Sequence, residues 1–104
     1  MKIIIVVPAY NESRYIGKFL DKLLAYTSNV IVVDDGSTDK TCEVVRAKGV
    51  TCLSHLVNLG KGSALKTGCE YAFAKLGADA VIIIDGDDQH IVEDISLFEK
   101  ALKK

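Results

Sequence analysis

The chain has 104 residues, 49% of them hydrophobic and 26% charged, with a formal net charge of −1. This describes a single domain with enough apolar material for a core. It argues against a nucleic-acid binder that works through a broad basic face.

In chain order, Ile3–Val7 of MKIIIVVPAY reads as a strand, since the apolar stretch is too short and the proline too early for a secretory signal. Ile16, Phe19, Leu20, Leu23 and Leu24 then fall at helical spacing. Val30–Val33 is the second strand. Ser37, Thr38 and Asp39 offer N-caps for a short helix ending before Gly49. Thr51–Leu56 is a third strand, placed at a sheet edge because Thr51, Ser54 and His55 interrupt it. A longer helix carries the stripe Leu65, Cys69, Ala72, Phe73 and Leu76, and Gly77 ends it. Ala80–Ile84 is the fourth strand, and Ile91, Ile95, Phe98 and Leu102 mark a last helix. No apolar run approaches membrane-spanning length. Cys42, Cys52 and Cys69 form no CxxC pair and read as reduced thiols, which points to the cytoplasm.

IIIVV, VIVV and AVIII are continuously apolar, as strands are when helices cover both faces of a parallel sheet. With strands and helices alternating, the fold class is α/β: an open, mostly parallel sheet with right-handed crossovers. Ligands of such sheets bind beyond the carboxyl ends of the strands. Pro8-Ala9-Tyr10-Asn11-Glu12 follows the first strand, Asp34-Asp35-Gly36-Ser37-Thr38-Asp39 the second, and Asp85-Gly86-Asp87-Asp88-Gln89-His90 the fourth. Any one of these loops could be a plain turn; together they gather acids at one edge. Two carboxylates ~4 Å apart repel by up to ~4 kcal/mol at an effective dielectric of 20. Such a pocket wants a cation, and an all-oxygen set suits Mg²⁺, Mn²⁺ or Ca²⁺.

Other motifs fit less well. An EF-hand fails at its sixth position, His90, and its twelfth, Ser96. Zinc would need more ligands than Cys52 and His55, and both histidines read as incidental. Gly60-Lys61-Gly62-Ser63 lacks Walker spacing, and Leu65 stands where a dinucleotide fingerprint needs glycine. Asn58–Gly62, at a helix N-terminus, could meet an anion through backbone N–H groups and Lys61, or be a plain entry loop.

PAYNE, VVDDGSTDKT, NLGKGSALKTG and DGDDQH, in this order at strand ends, resemble the inverting family 2 glycosyltransferases of the GT-A fold. The last two stretches look most like polyprenyl-phosphate (dolichyl-phosphate) mannose and glucose synthases. The resemblance implies a Rossmann-like half of that fold with strand order 3-2-1-4. It also implies that residues 1–104 form the N-terminal, nucleotide-sugar-binding part of the domain. Asp85 and Asp87 match the metal-binding Asp-x-Asp pair that carries the catalysis, holding Mg²⁺ or Mn²⁺ against the donor diphosphate. Pro8, Tyr10 and Glu12 are similar to residues that contact the nucleoside, with Ala9 and Val33 in the same donor-binding set. Asp35, with Asp34 beside it, matches the acid that accepts a hydrogen bond from the base edge. Lys61, Gly86 and Gln89 complete the set.

The implied donor is a GDP- or UDP-linked sugar and the implied acceptor a polyprenyl phosphate, which would place the protein at the cytoplasmic face of a membrane. Asp88 departs from the commonest form of the motif. Family members are also longer, and their remaining half would carry the acceptor site. The fourth strand would then lie at an edge that pairs with more of the sheet or with a second copy. Two other readings stand beside this one. The chain could be a non-catalytic nucleotide-diphosphate-binding half-domain. It could also be a phosphoacceptor receiver-like domain, although that class places its acids after other strands.

Overall fold

The structure, a computed structural model, describes residues 1–85. The predicted last helix, together with Gly86, Asp87 and Gln89, lies outside the described residues. The elements are β1 (Ile3–Ala9), α1 (Ile16–Leu24), β2 (Val30–Asp34), α2 (Thr41–Ala47), β3 (Thr51–Ser54), α3 (Lys61–Lys75) and β4 (Ala80–Ile83). The strands form one parallel sheet in the order β3-β2-β1-β4; the apolar runs predict the parallel sheet, and the family resemblance implies the order.

Both central strands, β1 and β2, are buried at every position, which explains their unbroken apolar runs. Alternation sorts their side chains between two cores. Ile5, Val7, Ala9, Val30 and Val32 meet Ile16, Phe19, Leu20 and Leu23 of α1 and Val45 of α2. On the opposite face, Ile4, Val6, Ile31 and Val33 meet Ala64 and Ala72 of α3.

Strand β1 runs two residues further than the apolar pattern suggests, since Pro8 and Ala9 pair with Val33 and Asp34. Pro8 is tolerated in this central strand for a geometric reason. Ile5 donates its N–H toward β2, so by alternation residue 8 would donate toward β4, whose pairing stops at Val6–Ile83. Strand β3 is an edge, as its polar interruptions imply. It ends at Ser54 instead of Leu56, because its partner β2 ends there and the Leu56 side chain is fully exposed. Strand β4 occupies the other edge: Val81 packs toward α3 and Ile82 toward the opposite core, while Ile83 is 45% exposed.

Helix α3 departs from the expected stripe. Its buried residues are Ala64, Gly68 and Ala72, one turn apart, whereas Phe73 is 50% exposed. A Cβ added at Gly68 would lie 2.4 Å from Val6 Cγ1 and 3.0 Å from Val33 Cγ2. The helix therefore rests on the sheet through small residues, and the bulky ones flank the contact. That close approach brings the N-terminus of α3 to the carboxyl edge of the sheet.

Candidate functional site

The two loops that follow β1 and β2 are bonded to one another. Asn11 N–H donates to Ser37 Oγ (2.9 Å), Glu12 N–H to Thr41 Oγ1 (2.9 Å), and Thr38 N–H to Asn11 Oδ1 (2.8 Å). Asp39 accepts from Thr41 N–H (2.9 Å) at the start of α2 and from Ser13 N–H (3.2 Å). Burial works to raise the Asp39 carboxyl, but donation from the Thr41 hydroxyl and from Ser13 overrides it and lowers the group to about 2. Much of the GSTDKT segment thus serves as a latch between loops. Glu12 is carried on the latched loop, where its carbonyl caps α1 by accepting from Ile16 N–H (2.9 Å).

Latching leaves a hollow of about 300 Å³ over the carboxyl ends of β1, β2 and β4. Among the described residues, Pro8, Ala9, Tyr10 and Glu12 line it from β1 and Asp35 from β2. Asn58, Gly60, Lys61 and Ala64 close it from the side of α3, and Asp85 lies beyond β4. Alternation accounts for the membership. Val33 faces the α3 side, so Asp35 does too, while Asp34 faces the other way. There Asp34 Oδ1 accepts from Ser37 N–H (3.0 Å). Val33 itself is fully buried in the α3-side core.

Asp35 is the most elaborately held group in the hollow and is only 4% exposed. His55 Nδ1 and Leu59 N–H donate to its Oδ1 (2.8 and 2.9 Å), and Gly60 N–H donates to its Oδ2 (2.8 Å). Burial alone would raise this carboxyl. Donation from His55, then from the Leu59 and Gly60 amides, outweighs it and holds the group below its ordinary value. The Leu59 and Gly60 amides reach Asp35 because Gly36 lets the loops touch. A Cβ at Gly36, whose φ is +72°, would stand 2.3 Å from the Val57 carbonyl carbon.

His55 reads as incidental in the sequence, yet its ring spans from Asp35 to Thr67 Oγ1 of α3, 2.8 Å from Nε2. The signal is present in the strand period. Asp34 pairs with Ser54, so Asp35 and His55 stand level and on the same face. Asn58, whose side-chain amide donates to the Asp35 carbonyl (3.3 Å), belongs to the same assembly.

At the mouth of the hollow, Lys61 Nζ lies 2.7 Å from Asp85 Oδ1, with both side chains about half exposed. Asp85 thus already holds a cationic group. With Glu12 it offers only carboxylate oxygens to the hollow, a donor set that fits Mg²⁺ or Mn²⁺. A second group, away from the hollow, consists of Asp34, Cys42 and Cys52, whose ligand atoms lie within 4.8 Å of one another. Burial, followed by the neighbouring Cys42 and Asp34, pushes the Cys52 thiol up to about 12. It is a packed, protonated thiol.

An open parallel sheet with a polar hollow over its carboxyl edge defines a doubly wound ligand-binding α/β domain. The comparisons narrow the class: residues 4–104 match the family model of glycosyl transferase family 2. The chain belongs to that family.

One curated relative, the dolichyl-phosphate beta-glucosyltransferase ALG5A of Trichomonas vaginalis, is 35% identical over 115 residues, covering 95% of this chain and 34% of the relative. An uncharacterized protein of Methanocaldococcus jannaschii is 41% identical over 103 residues, covering 98% of this chain and 41% of that protein. Glucosyl-3-phosphoglycerate synthase from Mycobacterium tuberculosis, solved in complex with Mn²⁺ and UDP-glucose, superposes with a TM-score of 0.67 at 32% identity. The match covers 83% of this chain and 33% of that one. The fold is therefore that of the GT-A glycosyltransferases, and the chain spans well under half the length of these relatives. No helix among the described residues is long and apolar enough to cross a membrane.

Proposed function

We propose that residues 1–104 form the donor-binding part of a glycosyltransferase that takes a nucleotide-diphospho-sugar with Mg²⁺ or Mn²⁺ and passes the sugar to a polyprenyl phosphate. The observation that carries this reading is the shared hollow. It sets an apolar and aromatic wall (Pro8, Ala9, Tyr10) beside the buried acceptor Asp35, and both beside the charged pair Lys61 and Asp85. A nucleoside needs a flat wall and a hydrogen-bonding edge; a diphosphate needs cations.

In this reading Asp85 holds the divalent ion together with Asp87. When bound there, such an ion would supply charge stabilisation to the departing nucleoside diphosphate. Asp35 accepts from the base, and Pro8, Ala9 and Tyr10 pack against the nucleoside, with Glu12 on the same wall. Lys61 meets the phosphates, and Gly86 and Gln89 belong to the donor-binding set, Gln89 matching a residue that serves the sugar. Val33 and Asp34 act by holding the strand that carries Asp35. A polyprenyl phosphate is already an anionic nucleophile, so the transfer needs no strong base. The likeness to a dolichyl-phosphate beta-glucosyltransferase of Trichomonas vaginalis supports that choice of acceptor. Such an acceptor is a membrane lipid, and the proposed reaction runs at the cytoplasmic face of that membrane.

Calorimetry of UDP and GDP with Mn²⁺, using Asp85→Ala and Asp87→Ala as controls, tests the donor site. Absence of metal-dependent nucleotide binding defeats the reading. Turnover of sugar onto a polyprenyl phosphate separates a transferase from a passive nucleotide-binding half-domain.

A further inference from the structure

We infer that His55 is a specificity-determining positioning residue: by occupying an acceptor position on Asp35, it leaves that carboxylate a single position for a ligand in the hollow, which selects a base with one N–H donor, uracil, over guanine. The inference rests on the donor-binding reading above and deepens it.

What a ligand meets at Asp35 depends on how many acceptor positions remain there. A carboxylate offers about four lone-pair positions. Oδ1 of Asp35 receives both His55 Nδ1 and Leu59 N–H, so that oxygen is full. Oδ2 receives Gly60 N–H and has one position left. The carboxylate lines the hollow, so the remaining position is what a ligand meets. Asp35 is an anion beside the apolar Pro8, Ala9 and Tyr10 wall, which suits a ring and repels a phosphate.

Uracil presents a single N–H between two carbonyls, and one acceptor satisfies it. Guanine presents two parallel donors, the ring N–H and the exocyclic amine, and asks for both oxygens of a carboxylate. Here the second donor would face an oxygen already saturated, and a buried donor left unpaired is penalised.

Of the three groups that fill Asp35, two are backbone amides set by the loop path. The third is a side chain, which makes it the residue that sets selectivity. Its ring cannot swing away readily. The side chain is 11% exposed, and Thr67 holds its far nitrogen at 2.8 Å. A carboxylate only accepts, so Nδ1 carries the proton, and the Thr67 hydroxyl, which can donate or accept, meets Nε2.

The test is titration calorimetry of UDP and GDP, each with Mn²⁺, against the protein and its His55→Ala and His55→Asn variants. The unmodified protein is expected to prefer UDP by about tenfold or more, the scale of one unpaired donor. His55→Ala brings the ratio toward one, because Oδ1 regains an acceptor position for the second donor of guanine while Leu59 and Gly60 still hold the carboxylate. His55→Asn keeps most of the preference, because its amide can donate from near the position of Nδ1. A purely structural role for His55 would weaken both nucleotides alike and leave the ratio unmoved, and that result overturns its assignment.

Equal or tighter binding of GDP by the unmodified protein overturns the selection itself, with no variant needed. Should His55→Ala not fold, Thr67→Val, which only loosens the ring, is expected to lower the ratio part of the way; an unchanged ratio there counts against the inference. Failure of the unmodified protein to bind either nucleotide removes the donor-site reading as a whole, a result distinct from binding both equally.

Discussion

The ammonium of Lys61 lies 2.7 Å from Asp85 Oδ1 at the mouth of the hollow that both side chains line. Lys61 thus stands where a divalent ion held by Asp85 would compete with it. An exposed pair of this kind contributes only ~0–1 kcal/mol. Lys61→Met is therefore expected to tighten binding of Mn²⁺ alone by at most about fivefold. The same change should weaken Mn²⁺-dependent UDP binding about tenfold, because a phosphate partner is lost. Opposite signs in the two titrations support the dual role, and weakening of both would show that Lys61 only supports the loop.

Gly68 and Gly62 lie on the same helix in contrasting surroundings. A Cβ at Gly68 meets Val6 and Val33, whereas one at Gly62 meets nothing within 4 Å. Gly68→Ala should cost about 1–3 kcal/mol from overpacking, despite a better helix former. Gly62→Ala should be neutral or stabilising by up to ~1 kcal/mol. Urea denaturation of the two variants measures the difference, and equal effects would mean that α3 does not rest on the sheet as described.

Gly36 joins stability to the site. Its positive φ, and the Val57 carbonyl carbon 2.3 Å from where a Cβ would stand, leave no room for a side chain. Gly36→Ala is expected to cost roughly 2 kcal/mol or more and to pull the Leu59 and Gly60 amides off Asp35. Nucleotide affinity should then fall even where the variant is fully folded by circular dichroism. Unchanged affinity would disconnect this contact from the site.

Asp39 gives a pH dependence with a definite sign. Its folded value of about 2 lies below the ordinary aspartate value of 3.8. Its contribution to stability is therefore complete above the higher of these and is lost as pH falls through the lower. Asp39→Ala should cost about 1 kcal/mol at pH 7 and only a small part of that near pH 2. Denaturant midpoints at the two pH values test this, and an equal loss at both would assign the effect to packing.

The outer edge of β4 has no strand partner among the described residues, and Ile83 on it is 45% exposed. We expect the 104-residue chain to associate through this edge at high concentration. Ile83→Lys should suppress the association in sedimentation equilibrium. A strictly monomeric species at every concentration rejects edge pairing.

Much of this molecule is local. Unbroken runs of Ile and Val can only be buried on both faces, so IIIVV and VIVV dictate a parallel sheet between helices without any knowledge of contacts. The same reasoning places PAYNE, DDGSTD and Asp85 at the carboxyl edge, because in a parallel sheet every strand ends on one side. The edge position of β3 is likewise visible in its polar residues.

What the chain order could not decide depends on distances between elements. The choice of Ala64, Gly68 and Ala72 as the buried face of α3 follows from how near Val6 and Val33 come, and hydrophobicity alone ranks bulkier residues first. The division of labour between neighbouring Asp34 and Asp35 follows from which face of the sheet carries the hollow. His55 looks idle until the register of β2 with β3 sets it beside Asp35. Composition and period specify what must be buried and where chains must turn. Which polar group meets which is a property of register and packing, and these exist only once the sheet has closed.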